Sequence, residues 1–125
     1  MLLAEKLSYN KRMGSFGEGL ARDYLIKKGY KIIGSNIKAG YQELDIIAKK
    51  ENCLVFIEVK TRTSMIYGSA DETVFSKKIK NLKTGVSKYL QSYRGFYKDL
   101  RIDLISIDLD RIKQTAKIKH YQGIT

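Results

Sequence analysis

The chain has 125 residues, 43% of them apolar and 30% charged, which fits one domain over residues 1–125 with a real core and excludes a disordered or fibrous polymer. Lysine and arginine number 24 against 13 acids, a formal net charge of +11. Such an excess attracts polyanions, nucleic acid first among the cytoplasmic ones, although an ordinary basic surface carries the same signature.

Residues 1–13 read as a lead-in, frayed or helical. Met1-Leu2-Leu3-Ala4 is too short for a signal-peptide core and Glu5 follows at once. From Ser15 to Lys28 the apolar residues Phe16, Leu20, Ala21, Tyr24 and Leu25 recur at helical spacing, and Gly29 supplies the stop. Tyr30 to Ile33 is a short β run, and Gly34 to Gln42 is polar and turn-like. Leu44–Ala48 and Leu54–Lys60 are apolar strands joined by Lys49-Lys50-Glu51-Asn52, a β-hairpin. Arg62 to Glu72 has loop character. Val74 to Tyr93 is helical, with Ile79, Leu82, Val86, Tyr89, Leu90 and Tyr93 on one stripe and Lys77, Lys80 and Lys88 turned away. Arg101–Leu109 is a clear strand and Lys117–Tyr121 a weaker one. The order α-β-β-β-α-β-β predicts an α/β fold, a mixed sheet flanked by helices.

No apolar run approaches the roughly 18 residues of a spanning helix, and no basic helix has a lipid-like apolar face, so a membrane partner is not expected. The single Cys53 can form neither an internal disulfide nor a thiolate metal site. It reads as a small core residue, and the chain as cytoplasmic.

The hairpin holds the anomaly. Glu58 and Lys60 share one face of an otherwise apolar strand, and Asp45 interrupts the strand before it. With the turn centred near Glu51 and Asn52, Asp45 falls opposite Glu58, whereas a slip of one residue would turn it away. Glu43 is read as standing off that face, towards solvent or in a structural contact. Two carboxylates among apolar residues are costly unless compensated. A divalent cation would compensate them, since Mg²⁺ takes one or two carboxylates and completes its shell with water and phosphate oxygens. Lys60 beside it would orient water or neutralise charge growing on a phosphate. A plain strand-end ion pair, Glu58 with Lys60 or Arg62, accounts for the same residues equally well.

The string Phe56-Ile57-Glu58-Val59-Lys60-Thr61-Arg62, with Glu43-Leu44-Asp45-Ile46-Ile47 before it, resembles the PD-(D/E)XK nuclease signature. Gly17-Glu18, Ala21, Tyr24-Leu25, Gly29-Tyr30, Asn36, Gly68, Val74, Lys78 and Arg101-Ile102-Asp103 extend the likeness to the small bacterial YraN-like family, related to archaeal Holliday-junction resolvases. The likeness runs from about Gly17 to Ile107. It implies a restriction-endonuclease-like fold and Mg²⁺- or Mn²⁺-dependent hydrolysis of DNA, in preference to RNA, with a branched or damaged form as substrate. Asp45 and Glu58 match its metal-binding carboxylates, with the Val59 carbonyl a further ligand, and Lys60 matches the catalytic lysine. Glu18 matches an acid of the first helix that faces the site; its other reading is a capping box with Ser15. Lys78 matches a lysine of the second helix that reaches the site or a phosphate, or is simply solvated. Gln42 departs from the family, which usually has glycine there.

Gly14, Gly17 and Gly19 lack the strand and spacing of a phosphate-binding loop. The lone His120 reads as structural. Tyr41 and Tyr67 are the loop tyrosines available for stacking on bases, and Arg62 and Lys77, with Lys78, are candidate phosphate contacts. Two other readings stand beside the nuclease: a nucleic-acid-binding protein with a vestigial site, and an interaction module whose acids form ion pairs. A two-fold homodimer would suit symmetric cutting of a junction.

Overall fold

A computed structural model describes residues 2–63 and 72–125. Helix α1 (Leu3–Lys27) is followed by strands β1 (Lys31–Ala39), β2 (Gln42–Lys50) and β3 (Cys53–Thr63), helix α2 (Glu72–Leu90), and strands β4 (Asp99–Asp110) and β5 (Thr115–Tyr121). The sheet is mixed and has five strands in the order β1-β2-β3-β4-β5. Neighbours are antiparallel except β3 and β4, which run parallel because α2 carries the chain across between them. The α/β order matches the sequence reading.

The two helices cover opposite faces. Ala21 and Leu25 of α1 pack on Ile46, Ala48, Val55, Ile57, Ile105 and Ile107. Leu82 and Val86 of α2 pack on Leu44, Ile47, Leu54, Phe56 and Ile102. Strand β3 is buried on both faces at its start, so Leu54-Val55-Phe56-Ile57 is a continuous apolar run.

Several elements differ from expectation. Helix α1 begins at Leu3, twelve residues before the predicted Ser15, so the lead-in takes its helical alternative and joins the helix without a break. Ser15 is therefore mid-helix and caps nothing, and Gly14, Gly17 and Glu18 are interior helical positions. Phe16, placed on the apolar face by periodicity, is 58% exposed. Gly29, at φ 94, ends the turn after the helix as expected. The segment read as a turn over 34–42 is mostly strand. A register shift between Ile32 and Gly34 and a left-handed Asn36 (φ 50) break its alternation and make it look irregular in sequence. Arg62 and Thr63 belong to β3, not to a loop, and Glu72 opens α2. The rest of that expected loop, with Tyr67 and Gly68, lies outside the described residues. Cys53 is half-buried, and burial pushes its thiol pKa up.

Gly17 sets how closely α1 approaches the sheet. A Cβ there would overlap the Thr61 hydroxyl and stand 2.9 Å from Thr61 Cβ. Thr61 is β-branched and short, so the helix itself would have to move. Gly17→Ala is expected to cost about 1–3 kcal/mol, read as a lower urea midpoint at unchanged m-value.

Candidate active site

Strands β2 and β3 are laddered from Lys50↔Cys53 to Ile46↔Ile57. One step further along that register Asp45 faces Glu58, as the hairpin centred on Glu51 and Asn52 predicts. Regular pairing stops there. Leu44 and Ile47, three residues apart, both pack under α2, while Ile46 and Ala48 pack under α1. Alternation is therefore interrupted at Asp45, and Asn36 is left-handed in the neighbouring strand. The Asp45 carboxylate takes over the ladder's role, its Oδ2 accepting the Val59 N–H at 2.9 Å.

Asp45 and Glu58 are within hydrogen-bonding reach of each other. Asp45 is pushed up from 3.8 to about 7, first by burial, then by the negative charge of Glu58; the Val59 N–H pulls the other way, and the charge of Glu18 and a hydrogen bond with Glu58 add to the rise. Glu58 is 8% exposed. On its open side Lys78 of α2 brings Nζ to 2.7 Å from Glu58 Oε1. Burial alone would lower the Lys78 pKa; the hydrogen bond and charge of Glu58, with the charge of Asp45, outweigh it and raise the value. An open cleft of about 320 Å³ leads away from this pair, lined by Gln42, Glu43, Glu58, Lys77, Lys78, Asn81 and Leu82.

Asp45, Glu58, Lys78 and the Val59 amide are thus together, with Lys77 on the cleft wall. Glu18 is half-buried on α1 and its charge reaches Asp45. Lys60 lies two residues beyond Glu58 on the same face of β3, paired with Ser106 of β4. Arg62 is bonded to Asp108 at 3.3 Å and lines a separate groove with Glu18 and Val59, outside the cleft of Glu58 and Lys78. Glu43 is exposed as read, but it also lines the cleft beside Glu58 and Lys78. Gln42 and Asn81 line it as well and were not picked out from sequence; neither type signals chemistry alone. Gln42 departs from the family glycine without crowding α2, because Gly85 lies under it. A Cβ at Gly85 would stand 3.0 Å from Gln42 Cβ and 3.2 Å from Leu44 Cδ2.

The donor set fits a hard cation. It offers carboxylate oxygens and no soft ligand, which suits Mg²⁺ or Mn²⁺ better than Zn²⁺. Among the described residues no group of three or more His, Cys, Asp or Glu converges as a metal site. Two carboxylates are what a Mg²⁺ sharing its shell with water and phosphate needs. Two adjacent acids, one of them held above its ordinary range, are better compensated by such a cation than by a single exposed lysine.

Comparison with known sequences places the whole arrangement in a family. The profile of the uncharacterised protein family UPF0102 matches residues 17–107. The chain belongs to the UPF0102 family. A UPF0102 protein of Syntrophomonas wolfei is 43% identical over 111 residues, 89% of this chain and 95% of the relative. Another, from Clostridium botulinum strain 657, is 42% identical over 113 residues, covering 88% and 90% of the two chains. A third, from Flavobacterium psychrophilum, is 40% identical over 110 residues, covering 88% and 90%. The UPF0102 match opens at Gly17, where α1 meets Thr61, and closes at Ile107 in β4. It takes in Glu18, Asp45, Glu58, Lys60 and Lys78, and leaves out β5 with His120. Among the described residues no helix is long and apolar enough to cross a membrane.

Proposed function

We propose that this UPF0102 protein is a metal-dependent nuclease that hydrolyses phosphodiester bonds in DNA, working in the cytoplasm. The observation that carries the proposal is the acid pair Asp45–Glu58 at the point where β2 and β3 stop pairing, beside a cleft walled by Lys77 and Lys78. Asp45 and Glu58 would hold the Mg²⁺ or Mn²⁺, with the Val59 carbonyl as a further ligand. When bound, such an ion lowers the pKa of a water and withdraws charge from the phosphate. Val59 N–H fixes the Asp45 carboxylate beside Glu58. Lys60, one pleat on, neutralises charge as it grows on the phosphate or orients the attacking water. Lys77 and Lys78 hold the backbone on the other wall, and Lys78 exchanges Glu58 for a phosphate as substrate enters. Preference for DNA, and for a branched or damaged form of it, comes from the nuclease resemblance.

A second reading has one specific observation in its favour. The 2.7 Å pair between Lys78 and Glu58 satisfies the more buried acid without any metal, as in a binding protein with a vestigial site. A labelled panel of single-stranded, duplex, nicked, flap and four-way-junction DNA, plus RNA, separates the two readings when incubated with Mg²⁺, Mn²⁺ or EDTA. Cutting of at least one member with either ion and none in EDTA is the expected result. Salt-sensitive binding with no cutting of any member favours the vestigial site.

A further inference from the structure

We propose that the cleft continues as a track for a single nucleic-acid strand, running along α2 from Glu58 to a stacking platform at Tyr41. This deepens the nuclease reading and rests on it for the cleft's role as the reacting end. Three observations carry it.

First, the acid cleft is not isolated. Gln42 also lines a second open groove of about 470 Å³, bounded by the β1–β2 turn, the α2 residues Thr84, Ser87 and Lys88, and Gln91 just after the helix. Lys77, Asn81, Thr84 and Lys88 stand at helical intervals of three and four, so one polar stripe of α2 forms a continuous wall across both grooves, with Gln91 following just past its end. Gly85 lies beneath Gln42 between them and allows helix and strand to approach there.

Second, the wall has the charge and length of a strand-binding surface. Lys77 and Lys78 stand at the acid end and Lys88 at the other, roughly 16 Å apart along the helix. A stacked strand advances about 3.4 Å per nucleotide, and an extended one more, so the track holds roughly three to five nucleotides. Between the lysines the groove offers the neutral hydrogen-bonding groups Gln42, Asn81, Thr84 and Ser87, with apolar Leu82 and the acid Glu43 at the cleft end, which suits a backbone read without sequence preference.

Third, the far end presents an aromatic ring to solvent with nothing packed on it. Ala39 pairs with Gln42 across a two-residue turn in which Gly40 takes φ 64, and this tight turn holds Tyr41 at its tip. Tyr41 is 102% exposed, the most exposed of the large apolar side chains among the described residues, whereas Tyr24, Tyr89 and Tyr93 pack on the two cores. An exposed ring beside a basic groove is how proteins hold unpaired bases, since every base offers a π face. A duplex keeps those faces stacked inside, so the platform selects single-stranded segments.

The test uses binding in EDTA, where no cutting occurs. The chain contains no tryptophan, so Tyr41→Trp introduces the sole indole at a fully exposed site where folding is undisturbed. Fluorescence and anisotropy are followed with dT12, a 12-base-pair duplex and rU12. Quenching of the indole by dT12 and not by the duplex is expected, and rU12 reports whether the track distinguishes ribose. Tyr41→Ala should weaken dT12 binding about tenfold, and Lys88→Gln should reduce its salt slope by about one. If dT12 binds while the indole stays unquenched and Tyr41→Ala binds as tightly as the parent, the track is wrong, whatever the cleavage panel shows. Quenching in a protein that cuts nothing overturns the nuclease reading and leaves the track standing.

Discussion

Asp45→Asn is expected to abolish cleavage and, at the same time, to make the protein more stable at neutral and alkaline pH. The first effect follows from losing half of the metal's carboxylate set, with a fall in rate of about 10²–10³-fold or more. The second follows from linkage. The folded chain holds Asp45 near 7 while the unfolded chain releases its proton near 3.8. The folded state therefore binds the extra proton between those values, so stability falls as pH rises through that window. The cost is absent below about pH 3.8 and complete above about 7. An asparagine has no charge to desolvate and can still accept the Val59 N–H. Thermal unfolding at pH 8 should show Tm several degrees above the parent in Asp45→Asn, with the gap closing towards pH 4. Mg²⁺ should raise Tm of the parent and leave the variant unmoved, because only the parent binds it. A structural acid would behave in the opposite way, losing Tm on substitution. A lower Tm with unchanged cutting would remove Asp45 from the site.

Asp103→Ala should give the reverse pattern: a large loss of stability with no loss of metal affinity. Asp103 is completely buried. Arg101 donates to it twice, at 2.8 and 2.9 Å, His120 Nε2 lies at 2.7 Å, and the Gly123 N–H donates at 3.0 Å. The network runs on to Tyr30, whose hydroxyl accepts from Arg101 at 2.6 Å, and to Tyr24, 3.2 Å from His120 Nδ1. One carboxylate thus ties α1, β4, β5 and the residues after β5 together. Removing it strands a guanidinium, an imidazole and a backbone amide, which costs about 3–5 kcal/mol, or roughly 10 °C in Tm or more. Calorimetric titration with Mn²⁺ at a temperature where the variant is folded should give the parent's affinity. Weaker Mn²⁺ binding would show that the network supports the acid pair as well as the fold.

These two aspartates also mark what can be read from sequence. Asp45 and Glu58 were legible because a hairpin is local. Once the turn is placed at Glu51 and Asn52, counting residues sets their register. The order of elements was legible for the same reason, from apolar periodicity within each segment. Asp103 entered only within the matching string Arg101-Ile102-Asp103 and without a role, since its partner His120 is 17 residues on and Tyr30 contacts Arg101 from 71 residues away. No spacing rule connects such positions. Strand β1 was shortened because its bulge and its left-handed Asn36 mimic a turn. Lys78 came only through resemblance: on a helix wheel it flanks the apolar stripe, and nothing local says that Glu58 lies beneath it. The break in alternation at Asp45 was equally invisible. Glu43, read as pointing to solvent or making a structural contact, lines the cleft beside Glu58.

The open sheet has two outer strands, β1 and β5, and each presents backbone groups on which a neighbouring molecule's strand could template. Natural sheets suppress such edge-to-edge aggregation with lysines and bulges. Both devices are present. Strand β1 carries exposed Lys31 and Lys38 around its register shift, and β5 carries exposed Lys117 and Lys119. Part of the +11 charge therefore works as a gatekeeper that keeps copies of the chain from fusing their sheets. Only the remainder, which includes Lys77, Lys78, Lys80, Lys83 and Lys88 of α2, is free to speak for a polyanionic ligand.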